Sequence, residues 1–169
     1  GRARQTISVK IPAGVETGNR IQMAGRGEVG AGGGPAGDLY VEIVESDHDF
    51  LLRDGDNLHI AIEVSFTAAA LGTTVQVETL EGPVDLQIKA GTQSGATLPI
   101  KGKGMTRLRT ANRGDLIVHV DIATPHKLSR DQEKLLKDFA QSRGEKAGDV
   151  KIKGHKDGLF TKFRDAFGR

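Results

Sequence analysis

Gly37-Asp38-Leu39-Tyr40-Val41 and Gly114-Asp115-Leu116-Ile117-Val118 are one pattern, Gly-Asp-Leu-x-Val, written twice with a spacing of 77 positions (from 38 to 115). Working outward, the same spacing carries Lys10 to Asp54 onto Gln87 to Asp131 without a gap. Ile11, Gly14, Gly18, Ile21, Met23, Gly25 and Gly27 fall on Ile88, Gly91, Gly95, Leu98, Ile100, Gly102 and Gly104. Glycines that recur in register mark turns whose backbone torsions other residues avoid. Two segments that share their turns and their apolar positions share a fold, so the chain contains an internal repeat.

Within each copy the side chains alternate as they do on a half-buried strand. Leu39, Val41 and Ile43 alternate with Tyr40 and Glu42, and Leu116, Val118, Val120 and Ile122 alternate with His119 and Asp121. Further strands are predicted at Gln5 to Ile11, Arg20 to Ala24, Asn57 to Phe66, Thr73 to Leu80, Pro83 to Lys89 and Thr97 to Lys101, with a short helical turn from Thr67 to Leu71. The register also predicts a shortfall. First-copy partners of nearly all of Asn57 to Leu80 would lie before residue 1, so the first domain is expected to be truncated and to expose a sheet edge.

After the second copy, Ser129-Arg130-Asp131-Gln132 has the form of a capping box, and Leu135, Leu136 and Phe139 follow on one helical face. A helix to about Arg143 is expected. Gly144 to Gly158 is polar and rich in Lys and Gly, the composition of a linker. Leu159, Phe160, Phe163, Ala166 and Phe167 then recur at helical spacing opposite Lys162, Arg164 and Asp165. A helix this short needs a surface to dock on. The organisation expected is therefore 1–55 for the rest of a first β domain, 56–142 for a second β domain with its terminal helix, and 143–169 for a linker and amphipathic tail.

Composition narrows the function classes. The chain has 169 residues, 23 glycines, no cysteine and only 4% aromatic residues, which favours thin sheets with many turns over one thick enzyme-like core. Without cysteine there are no disulfides, thiolate metal sites or cysteine nucleophiles, and a reducing, cytoplasmic setting is expected. No apolar run approaches the ~20 residues that span a bilayer. A formal net charge of +2 does not by itself imply a nucleic-acid partner. The local exception is a basic loop of Lys101, Lys103, Arg107, Arg109 and Arg113, which could meet an acidic tail or nucleic acid, or stand solvated. Gly25-Arg26-Gly27-Glu28-Val29-Gly30 matches Gly-x-Gly-x-x-Gly only formally, because glycines and Pro35 follow where a helix must begin. Asp54-Gly55-Asp56 reads as a turn, and His48, His59, His119, His126 and His155 lack the spacing of metal ligands.

Ile11-Pro12-Ala13-Gly14-Val15, Gly37-Asp38-Leu39-Tyr40-Val41, Arg53-Asp54-Gly55-Asp56-Asn57-Leu58, Ser65-Phe66-Thr67-Ala68-Ala69-Ala70-Leu71-Gly72 and Gly102-Lys103-Gly104-Met105 together resemble the DnaJ family over nearly the whole chain. The resemblance implies an all-β fold of two tandem β-sandwich client-binding domains, the first truncated, followed by C-terminal α-helices. It implies a co-chaperone that holds non-native polypeptide without catalysis, works with a DnaK-type seventy-kilodalton ATPase chaperone, and dimerises through its carboxy terminus. Neither the family's His-Pro-Asp triplet nor its Cys-x-x-Cys-x-Gly-x-Gly zinc module occurs in this sequence, so neither ATPase stimulation nor zinc binding by that module is carried over. Ile7 and Leu51 match the family's client-pocket lining, with Phe50 adjacent, although the family usually has a large aromatic at the position of Leu51. All three could equally be core residues. Leu159, Phe160, Phe163 and Phe167 form the expected dimerisation surface; docking onto the chain's own second domain and lying on a membrane surface are the alternatives.

Overall fold

A computed structural model describes residues 4–155, and the expected dimerisation residues Leu159, Phe160, Phe163 and Phe167 lie outside them. The chain divides into two compact units, one ending at Thr124 and one beginning at Pro125. In the first, β1 (Arg20–Met23) and β2 (Leu39–Glu42) form an antiparallel pair. β3 (Leu52–Asp54), β4 (Asn57–Ser65), β8 (Leu116–Ala123) and β7 (Ala96–Ile100) form a four-stranded sheet in that order. β5 (Thr73–Thr79) and β6 (Gly82–Ile88) make a separate hairpin. The second unit contains the helix α2 (Arg130–Ser142).

The second copy of the repeat builds a sandwich. Leu58, Ile60 and Val64 of β4 and Leu116, Val118 and Val120 of β8 alternate inward, where they join Val77 of β5 and Ile88 of β6 in one buried cluster. Burying each of these side chains contributes about 1.5–3 kcal/mol, which is what drives the two layers together. Between β4 and β5 the chain turns through α1 (Phe66–Leu71), started by Ser65, whose side chain accepts the Ala68 N–H at 3.1 Å, and stopped at Gly72 with φ +84°. Among the described residues, all ten buried apolar side chains lie between Leu51 and Val120, and none before Leu51 is fully buried.

The repeat is visible bond for bond. Ile21 pairs with Val41 and Met23 with Leu39, and at the same spacing Leu98 pairs with Val118 and Ile100 with Leu116. Asp38 Oδ1 accepts the Gly25 N–H at 3.0 Å, and Asp115 Oδ1 accepts the Gly102 N–H at 3.0 Å. Gly27 donates to Gly37 and Gly104 to Gly114 at 2.7 and 2.8 Å. Gly14 and Gly91 have φ of +86° and +85°, and Gly25 and Gly102 +70° and +72°, conformations open to glycine and strained for other residues.

Several expectations are corrected. Gln5 to Ile11 forms no strand, because no strand among the described residues offers it a ladder partner. Leu52 to Asp54 is a strand that the apolar run Phe50-Leu51-Leu52, lacking alternation, did not disclose. It turns into β4 through Gly55 and Asp56, Gly55 taking the φ of +61° that a two-residue hairpin favours. The capping box of α2 is present in both directions: Ser129 Oγ accepts from Gln132 N, and Gln132 Oε1 from Ser129 N.

Candidate functional site: a groove beside the edge strand β3

β3 is one of the two outer strands of the four-stranded sheet, and the site is built around it. Leu51, just before β3, is turned into the core cluster, with 9% of its surface exposed. Phe50 and Leu52 on either side are 54% and 70% exposed. His48 fixes this alternation: its Nδ1 accepts the N–H groups of Phe50 and Leu51 at 3.3 and 3.2 Å, and its ring packs edge-on to Phe50.

A groove of about 600 Å³ opens here, with Leu51, Leu58, Leu80 and Met105 supplying apolar wall and Thr17, Glu45, Asp47 and His48 a polar rim. Its two banks come from different copies of the repeat, and Arg53 holds the first-copy bank together. The guanidinium donates to the carbonyls of Val15 at 2.7 Å, Gly14 at 3.2 Å and Gly55 at 2.8 Å, and pairs with Glu45. Charge-assisted bonds of this kind are stronger than neutral ones, and the planar fork satisfies several acceptors from one side chain. The Gly14 turn is seated so closely that a Cβ there would lie 2.5 Å from the Thr106 carbonyl oxygen. On the outer face of the sheet a second, more open depression is lined by Phe50, Leu52, Asp54, His59, Ala61 and His119.

The residues singled out from sequence are therefore only partly brought together. Leu51 is both core and groove wall, Phe50 faces the neighbouring depression, and half-buried Ile7 lines neither. Leu80 and Met105 were not anticipated as groove residues; no local pattern joins positions so far apart.

The basic loop is partly neutralised from outside itself. Lys103 and Arg113 both reach Glu81, at 3.5 and 3.4 Å, and Arg107 reaches Asp56 at 3.5 Å. Three of its five cations thus already face carboxylates, which weakens its standing as a phosphate-binding surface. Among the described residues no group of three or more His, Cys, Asp or Glu side chains is placed to hold a metal, and no helix is long and apolar enough to cross a membrane.

Comparison with known proteins agrees with the repeat and the sandwich. The profile of the DnaJ C terminal domain matches residues 1–125. Chaperone protein DnaJ 2 of Streptomyces avermitilis is 53% identical over 98% of this chain and 44% of its own length. Chaperone protein DnaJ 1 of Nocardia farcinica and chaperone protein DnaJ of Leifsonia xyli are 48% and 46% identical over the same shares. The chain thus spans less than half the length of these relatives, and the part it spans carries the C-terminal domain: it belongs to the DnaJ family.

Proposed function

We propose that this chain is a client-binding region of a co-chaperone, which holds non-native polypeptide at the groove beside β3 and carries out no bond chemistry. The observation that supports this most directly is a groove with apolar wall residues beside a strand edge that has no ladder partner among the described residues. Main-chain hydrogen bonds along an edge give affinity without regard to sequence, and a neighbouring hollow takes up large side chains. Leu51 and Leu80 would meet the client's apolar side chain, and Phe50 and Leu52 would extend the contact onto the outer face. Two or three such contacts, after ordering costs, correspond to roughly micromolar affinity. Release to a DnaK-type ATPase chaperone, and a dimer formed through Leu159, Phe160, Phe163 and Phe167 that holds one client at two points, complete the reading and rest on family membership.

The test is fluorescence anisotropy with a panel of extended apolar peptides, run together with suppression of aggregation of a denatured protein. Phe50→Ser with Leu80→Ser, both at exposed positions, is expected to weaken peptide binding at least tenfold while leaving the circular dichroism unchanged. Leu51→Asp is unsuitable, because it would place a charge in the core. Affinity that is indifferent to the double replacement and collapses with rising salt would overturn this reading in favour of the basic loop.

A further inference from the structure

The outer face of the four-stranded sheet carries a histidine pair to which the proposed client contacts assign no role. The parallel register of β4 and β8 sets His59 opposite Ile117 and Ala61 opposite His119, so the two imidazoles stand diagonally on adjacent strands. His59 Nδ1 and His119 Nε2 are 2.7 Å apart, with ring centroids at 5.0 Å and planes inclined by 28°. On the far side of the first ring, His59 Nε2 faces Asp54 Oδ2 at 3.6 Å across the β3–β4 hairpin.

A neutral imidazole has one N–H and one lone pair. A proton on His59 Nε2, aimed at Asp54, leaves Nδ1 as the bare lone pair, which accepts the 2.7 Å hydrogen bond from His119 Nε2–H; an ion that takes both nitrogens displaces that proton, and His119 then carries its proton on Nδ1. A carboxylate on the far side of a metal-ligating ring favours the tautomer whose bare nitrogen faces the ion. We propose that His59 Nδ1 and His119 Nε2 chelate a divalent transition-metal ion, zinc foremost, with Asp54 as a positioning residue. At Zn–N bonds of about 2.0–2.1 Å and a tetrahedral angle, the two nitrogens stand roughly 3.3 Å apart. The observed pair has to open by about 0.6 Å, and the rings, which now meet end to end, have to turn so that both lone pairs converge on the ion; the His59 side chain is 28% exposed. Two imidazoles suit zinc, copper or nickel, whereas calcium and magnesium take oxygen ligands. The other coordination positions open into the depression lined by Phe50 and Leu52, where water or a group of a bound molecule can occupy them.

The metal-free chain should be titrated with zinc chloride by calorimetry, with nitrogen-edited spectra of the histidine rings recorded in parallel. One equivalent is expected to bind, shifting His59 at Nδ1 and His119 at Nε2 and leaving His126 and His155 unmoved. His59→Gln or His119→Gln should weaken zinc binding at least tenfold. Asp54→Ala should weaken it by about 10–100-fold and also move the His59 Nε2 resonance, which a general loss of stability would not do. Zinc binding that survives both histidine replacements, ring shifts at other histidines, or no saturable uptake would each overturn the proposal. The spectra of the unaltered protein decide the case even where a variant folds poorly.

Discussion

Gly114→Ala and Gly37→Ala make the same chemical change at equivalent positions of the repeat, and the structure assigns them opposite outcomes. A Cβ on Gly114 would lie 2.1 Å from the Asp56 carbonyl oxygen, 2.5 Å from its carbon and 3.0 Å from Asn57 Oδ1. A Cβ on Gly37 would meet only the Glu28 carbonyl oxygen, at 3.9 Å, an ordinary contact. Neither glycine has a φ in the left-handed region, so the comparison is one of space alone. Relieving the first clash moves β8 against the β3–β4 hairpin, an overpacking cost of about 1–3 kcal/mol. It also disturbs the 2.9 Å bond from Asp115 N to Asn57 Oδ1, worth about 0.5–1.5 kcal/mol. Alanine returns about 0.4–1 kcal/mol by restricting the unfolded chain. The net for Gly114→Ala is a loss of about 2 kcal/mol, or a urea midpoint lower by about 1 M at a slope of about 2 kcal/mol per molar. Gly37→Ala keeps only the gain and should leave the midpoint unchanged or a few tenths molar higher. Equal shifts for the two variants, or a neutral Gly114→Ala, would falsify the close seating of β8 on the hairpin.

Arg53→Met should free the Gly14 turn by removing every guanidinium bond to Gly14, Val15, Gly55 and Glu45, at a cost of about 1.5–3 kcal/mol; limited proteolysis should show faster cleavage near residues 13–20, and an unchanged pattern would count against the tie. Asp38 accepts the Gly25 N–H and a Gln22 side-chain bond, which hold its carboxyl below the ordinary value of 3.8. The stabilisation is therefore complete above that value and lost as pH falls through the lower folded value, so an NMR titration should show Asp38 titrating below 3.8 with the Gly25 amide shift following it. Val118→Ala, in the fully buried centre of β8, should cost on the order of 2 kcal/mol by thermal or chemical denaturation. Ser129→Ala removes the start of α2 and should lower helicity there by an amount matching about 1 kcal/mol, read from carbon chemical shifts of residues 130–142.

The repeat was legible because glycine writes backbone geometry into sequence. Gly14 with Gly91 and Gly25 with Gly102 hold the positive φ values that their recurrence implied, and the strands between them follow in register. The site was less legible for a topological reason. Pairing β4 with β8 in parallel brings His59 beside His119, and folding the hairpin beneath the loop brings Glu81 to Lys103 and Arg113; neither meeting leaves a local trace. Leu51 was visible as an important apolar residue, but whether it faces a client or the core depends on β3, which lacks alternation and was missed. Ile7 illustrates the reverse: its alternating neighbourhood reads as strand, yet a strand exists only where a partner offers hydrogen bonds.

The parallel junction of β4 with β8 also sets an order of events during synthesis. Leu58 waits for Leu116, and Ser65 for Ala123, so the middle of the sheet cannot close until nearly the whole unit has left the ribosome. Until then the inward stripe of Leu58, Ile60 and Val64 can meet the β5–β6 hairpin but lacks the β8 side chains beside it, and a nascent chain stopped short of Leu116 carries that stripe only partly covered. Non-local closure of this kind slows folding and lengthens the interval of vulnerability to aggregation. A protein of a chaperone family thus passes through a stage at which it is itself a candidate for a chaperone's attention.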